Sequence, residues 1–102
     1  MLELRPTCDH CNKALPPAAP DARICSYECT FCADCVDGML QNVCPNCGGG
    51  FMPRPVRPAR NWKGDNYLEK DRARIEPKYR PVDPAAHAAF AEAIREIAPG
   101  DR

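Results

Sequence analysis

Eight cysteines, all between positions 8 and 47, are the residues best equipped for chemistry. They run Cys8-x2-Cys11, thirteen residues, Cys25-x3-Cys29-x2-Cys32-x2-Cys35, eight residues, then Cys44-x2-Cys47. A C-x2-C knuckle turns the backbone so that two thiolates reach one ion at about 2.3 Å, and a closed tetrahedral site takes two such pairs. Four pairs make two four-thiolate sites with no ligand left over and no open coordination position, as in structural rather than catalytic zinc. Spacing leaves two pairings open. Sequential pairing joins 8/11 with 25/29 and 32/35 with 44/47; interleaved pairing joins 8/11 with 32/35 and 25/29 with 44/47.

Around the ligands, Cys29-Thr30-Phe31-Cys32-Ala33-Asp34-Cys35-Val36 followed by Cys44-Pro45-Asn46-Cys47 resembles the RING finger signature. Phe31, Val36 and Pro45 stand where that signature has an apolar residue before the fifth ligand, an aliphatic after the sixth and a proline after the seventh. The resemblance covers about half the chain and implies interleaving, with one Zn²⁺ at Cys8, Cys11, Cys32 and Cys35 and a second at Cys25, Cys29, Cys44 and Cys47. Cys29 takes the place usually held by histidine, as in all-cysteine variants. The implied fold is a small metal-stabilised α+β, a RING-like cross-braced two-zinc module. The chain also resembles a bacterial family of short cysteine-rich proteins known only as a domain of unknown function. That likeness rests on the opening Leu2-Glu3-Leu4-Arg5-Pro6, on Arg23 to Cys32, and on Val43 to Gly49 with the Arg-Pro run beyond; it suggests a bacterial source and supplies no activity.

RING fingers are best known as adaptors of ubiquitin transfer. The resemblance locates their transfer surface at an aliphatic before the second ligand, an aromatic between the sixth and seventh, and a base after the eighth. Here those places hold His10, at best Met39-Leu40, and Gly48. Fold does not carry function with it.

Other chemistry finds less support. Cys25-x3-Cys29-x2-Cys32 matches the cluster triad of radical S-adenosylmethionine enzymes, but those need a large barrel that 102 residues do not supply. Iron remains the alternative metal, since thiolates suit both. With four thiolates available per site, His10 is surplus and reads as an exposed knuckle residue; His87 lies among alanines with no acid or cysteine nearby. No serine, histidine and acid grouping suggests a nucleophile, and no small-molecule substrate is evident.

The elements that must position the thiols are slight. A chain of 102 residues buries a modest fraction of its surface on folding, and this one is rich in Pro (12) and Cys (8); something beyond apolar burial has to hold it. Residues 1–6 form no apolar signal region and no stretch approaches a membrane span, so the expected location is a reducing cytoplasm, where thiols bind metal in preference to pairing.

Three parts are expected: a zinc-binding module over 1–52, a Pro/Arg-rich extended arm over 53–82, and an amphipathic C-terminal helix over 83–98. Gly48-Gly49-Gly50 reads as a flexible stop, and the prolines from 53 to 58 predict an extended spacer. Residues 1–52 carry three bases against six acids, whereas 54–80 carry nine bases against four acids. With two Zn²⁺ and eight thiolates the module would be strongly anionic, so the arm is expected to dock on it by charge, helped by Trp62, Tyr67, Leu68 and Tyr79. Asp83 suits an N-cap and Pro84 the first helical position, after which Ala86, Phe90, Ala93, Ile94 and Ile97 form the apolar stripe before Pro99-Gly100 stops the helix.

The function expected on this reading is a noncatalytic structural zinc module that binds a protein partner through Met39, Leu40 and the tail aromatics. The alternatives are a RING-type ligase adaptor in a bacterial ubiquitin-like pathway, and a nucleic-acid binder using the Arg-Pro arm with Trp62, Tyr67 and Tyr79.

Overall fold

In the structure, a computed structural model that describes residues 1–102, regular elements are short and the cysteines sit between them. Strand β1 (Ala22–Ile24) turns through Cys25 to Cys29 into β2 (Thr30–Cys32), which runs directly into the single-turn helix α1 (Ala33–Asp37). The hairpin is antiparallel with Arg23 opposite Phe31, and β3 (Met52–Pro53) pairs antiparallel on the other side of β1, giving the order β2-β1-β3. Pro53 is tolerated because β3 is an edge strand. The strand crosses the boundary expected after Met52, so the sheet joins the cysteine-bearing part to the start of the arm.

Only 20 residues are buried, and five of the twelve in the main core cluster are cysteines: Cys8, Cys25, Cys29, Cys32 and Cys44. Phe31 and Phe51 meet edge to face at the centre, ring centroids 5.4 Å apart. Leu40, expected at a partner surface with Met39, is fully buried, and Met39 packs against the same core. The turn after α1 folds back through Leu40 N–H to Cys35 O and Asn42 N–H to Val36 O, which carries the Leu40 side chain inward.

The arm does dock, but chiefly by hydrogen bonds to main-chain atoms. Arg54 is 4% exposed and its guanidinium donates to the carbonyls of Arg5, Leu15 and Pro16 at 2.9 to 3.2 Å. Arg57 bridges Leu2 O and Asp71 O. Further along, the N–H groups of Arg74 and Arg80 donate to Leu4 O and Asp9 O. Charge contributes where Lys78 and Arg74 converge on Glu3 at 3.2 and 3.8 Å and where Arg80 acts on the Asp9 carboxyl. Trp62 is no anchor, being 75% exposed; Tyr67 is half-buried and Tyr79 exposed.

Helix α2 (Pro84–Ile94) begins as its sequence predicts, with the Asp83 carboxylate accepting from Ala85 N–H and Pro84 in the first turn. It ends near Ile94, where Ile97 N–H reaches back three residues to Ile94 O and tightens the last turn, and a 3-10 turn occupies Pro99–Asp101. The buried face is His87 and Ala91, with Ile94 partly covered; Phe90 and Ile97 stay 46% and 42% exposed, and Ala86 and Ala93 are exposed. His87, with no acid or cysteine beside it, is packed under the helix and places Nε2 2.9 Å from Leu40 O. A polar link to the main chain beneath the helix has rotated the stripe away from its purely apolar phase.

The glycine run is not a free hinge. Gly48 holds φ +76°, where any side chain would strain the backbone, and lies against Phe90 and Ile94; a Cβ at Gly50 would lie 2.9 Å from Pro99 Cγ.

Two outcomes test this docking. Arg54→Met keeps the stem but leaves three carbonyls without their donor, and is expected to cost about 3 kcal/mol in denaturant unfolding. Amide exchange of Arg74 and Arg80 is expected to stay slow when salt shortens the Debye length from about 10 Å at 0.1 M to about 3 Å at 1 M; a large acceleration would restore charge as the dominant force.

Candidate metal centre

Each cysteine sits where the backbone is already constrained. Cys8 and Cys11 lie in a turn closed by the Thr7 to Ala14 bridge, with Cys8 N–H on Lys13 O and Asn12 at φ +63. Cys32 ends β2 and is the N-cap residue of α1, which carries Cys35 one turn on. Cys25 and Cys29 bracket the hairpin turn, where Cys25 N–H meets Cys29 O at 3.2 Å and Glu28 adopts φ +67. The Cys44 to Cys47 turn is closed by Gly48 N–H on Cys44 O and Cys44 N–H on Gly49 O, both 2.8 Å.

These turns collect the thiols into two groups. The Sγ atoms of Cys8, Cys11, Cys32 and Cys35 all lie within 4.8 Å of one another, and so do those of Cys25, Cys44 and Cys47. Cys29 is buried nearby but falls outside the second group by that measure, its Sγ accepting from Asn46 Nδ2 at 3.2 Å. Within the first group, Cys8 Sγ is 3.9 Å from Cys35 Sγ and Cys11 Sγ is 3.7 Å from Cys32 Sγ. Those spacings are far beyond a disulfide bond of about 2.05 Å. They match the edge of about 3.8 Å that a regular tetrahedron has when its centre lies about 2.3 Å from each sulfur. All eight thiols are free, so both groups can bind a metal ion, and their soft donors suit zinc.

N–H groups point at the sulfurs as they do around thiolate ligands: Cys11 N–H on Cys8 Sγ at 3.5 Å, Tyr27 N–H on Cys25 Sγ at 3.3 Å and Gly49 N–H on Cys47 Sγ at 3.4 Å. The metal-free electrostatics are uneven. Burial pushes the Cys8 thiol up; burial, aided by the neighbouring cysteines, pushes Cys35 and Cys44 well above the ordinary thiol range. Cys11 is also raised by its partial burial, but the Lys13 N–H and the surrounding thiols outweigh this and bring it down.

Three polar residues beside the groups had no clear signal in the sequence. Asp9, between two cysteines, is buried; its Oδ2 accepts from Arg5 Nη1 at 2.6 Å and Thr30 N–H at 3.2 Å, while burial pushes its carboxyl up against the pull of Arg5. The four-residue separation of Arg5 and Asp9 was the only hint of this pair. His10 is half-buried rather than exposed, its Nδ1 accepting from Val82 N–H at 2.8 Å. Asn46 reads as a plain turn residue, yet it holds Cys29.

Because Cys8, Cys35 and Cys44 hold their protons above the ordinary thiol range, a bound cation must displace them, and affinity must rise with pH. Zinc content after dialysis is expected to fall steadily as the buffer is acidified from neutrality; retention independent of pH would contradict thiolate ligation.

Against known proteins, a family model described as a protein of unknown function (DUF1272) matches residues 1–57. An uncharacterized protein of Rhizobium meliloti (strain 1021) is 58% identical over 59 residues, 58% of this chain and 70% of the relative. No solved structure matches the chain. No helix is long and apolar enough to cross a membrane.

Proposed function

The chain belongs to the DUF1272 family of proteins of unknown function, and from that premise we propose that it is a noncatalytic, cytoplasmic zinc protein whose cross-braced two-zinc module presents a surface to a protein partner. The observation that carries the metal reading is the gathering of the first four thiols within 4.8 Å of one another, two of their separations being 3.7 and 3.9 Å. The grouping of 8/11 with 32/35, and of Cys25 with 44/47, supports the interleaved, RING-like brace, with Cys8, Cys11, Cys32 and Cys35 on one Zn²⁺ and Cys25, Cys29, Cys44 and Cys47 around the other. A structural role follows from the core, in which cysteines supply much of what apolar side chains would. Zinc here fixes the fold and performs no step. With Leu40 inside the core, the contacts we assign to a partner are the exposed Trp62 and Tyr79 on the docked arm.

A ligase-adaptor role is disfavoured because all three positions it would use meet the chain's own tail. His10 Nδ1 accepts from Val82, Leu40 O lies against His87, and Gly48 faces Phe90 and Ile94. Nucleic-acid binding is the weaker alternative, since Arg54 and Arg57 are spent on carbonyls rather than free for phosphates.

Elemental analysis is expected to give two zinc per chain, and chelation to unfold the protein, because so small an apolar core does not stand alone. Zinc-loaded protein should leave ubiquitin discharge from a conjugating enzyme unstimulated in single turnover. Trp62→Ala and Tyr79→Ala should abolish capture of the partner while leaving zinc content at two. One zinc per chain, or iron with visible absorbance, would overturn the metal reading; stimulated discharge would overturn the noncatalytic one.

A further inference from the structure

Burial at the start of the arm repeats every third residue. Phe51 and Arg54 are buried and Arg57 is half-buried, while Pro55, Val56 and Pro58 are exposed. A period of three belongs to the polyproline II helix, not to a strand or an α-helix. The sequence enforces it. Pro55 and Pro58 fix φ at about −65°, and Arg54 and Arg57, each preceding a proline, are pushed to extended backbone. The inward edge is fastened, since Arg54 donates to the carbonyls of Arg5, Leu15 and Pro16 and Arg57 to those of Leu2 and Asp71. What faces solvent is a rigid ridge, with Pro55 and Pro58 on one edge about 9 Å apart and Val56 58% exposed on the next.

The ridge has a charged end and an apolar flank. Past Pro58 the chain bends at Ala59 and Arg60, and Leu68 N–H closes on Pro58 O at 2.8 Å, so that Arg60 leaves the inward edge. The exposed Arg60 guanidinium and Lys63 ammonium have no ion-pair partner in the chain. Alongside, Leu4, Val56, Pro58 and Tyr67 wall a hollow of about 320 Å³, large enough to admit an aromatic ring.

Resting on the protein-partner reading above, we propose that Pro55 to Arg60 is the segment the partner recognises, and that the partner is a domain with an aromatic-lined groove for polyproline II and a carboxylate at one end for Arg60. Rings of the groove pack on Pro55 and Pro58, and its rim enters the hollow against Tyr67. The carboxylate pairs with the free guanidinium of Arg60. Because Arg54 and Arg57 already hold the segment extended, docking costs little ordering entropy. Phosphate has no such fit, since the proline and valine edges offer it no donor.

The test titrates the zinc-loaded, isotope-labelled full chain with isolated SH3-type and WW domains, unrelated folds that both read polyproline II. Saturable amide shifts are expected at Val56, Ala59 and Arg60 with at least one of them, leaving helix α2 unmoved. Pro58→Ala should weaken that binding roughly tenfold, the scale of one central anchor. Arg60→Glu, which keeps both prolines, should weaken it at least as much, and most at low salt. Both side chains are exposed, so the zinc content of these variants should match the wild type's; measured on the same samples, it reports any failure of the metal reading separately. No saturable shift with either domain, or wild-type affinity in Pro58→Ala and Arg60→Glu, would overturn the ridge. Loss of binding confined to Trp62→Ala and Tyr79→Ala would also overturn it while leaving the partner reading intact. Shifts at Arg60 and Trp62 with an oligothymidine strand, absent with both domains, would replace the protein partner by a nucleic acid.

Discussion

Four thiols within 4.8 Å of one another cannot all ionise without a cation between them, because like charges at that spacing repel strongly inside a protein. That constraint governs the rest of the chain. Strands of three residues and a helix of five are too short to be stable through their own hydrogen bonds. They persist because each delivers or receives a cysteine, and the turns between them are shaped by where the sulfurs must meet. Burial then follows: Phe31 is a neighbour of Cys32, Leu40 folds back onto Cys35, and Phe51 closes over Phe31.

A second layer of order comes from arginine acting on carbonyls. Turns around Arg5, Leu15 and Pro16 leave oxygens pointing inward that no regular element satisfies, and the planar guanidinium of Arg54 reaches all three at once. Burial lowers the Arg54 pKa from its ordinary value, a sign that the charge sits there at some cost. Arg57 and Arg102 repeat the device, Arg102 holding Asn42 O and Gly48 O beside the last knuckle.

This division explains what could be read from the amino acids alone. The gathering of cysteines, the Asp83 cap and the Pro84 start are local patterns, legible because each is set by residues a few positions apart. The hairpin was not visible, since Ala22–Ile24 and Thr30–Cys32 are too brief to show alternation. The positive run from 54 to 80 promised long-range attraction, but a count of charges says nothing of which carbonyls lie unsatisfied, and those depend on turns made elsewhere. Leu40 was misplaced for a related reason: the turn after α1 folds it back into the core beside Phe31 and Val36, a turn that residue types alone do not reveal.

The links that fasten the tail share a property that bears on how the molecule comes apart. His10 to Val82 spans 72 residues, Asn42 to Arg102 spans 60, Leu2 to Arg57 spans 55 and Leu40 to His87 spans 47. Closing loops of that length is entropically costly, and little buried apolar surface accompanies them beyond Ala91. Loss of one such link frees the segment that made the next. The tail therefore behaves as a separate unit of local opening, peeling as a whole from a cysteine module that stays shut and exposing Leu40 and the last knuckle in brief excursions from the native state.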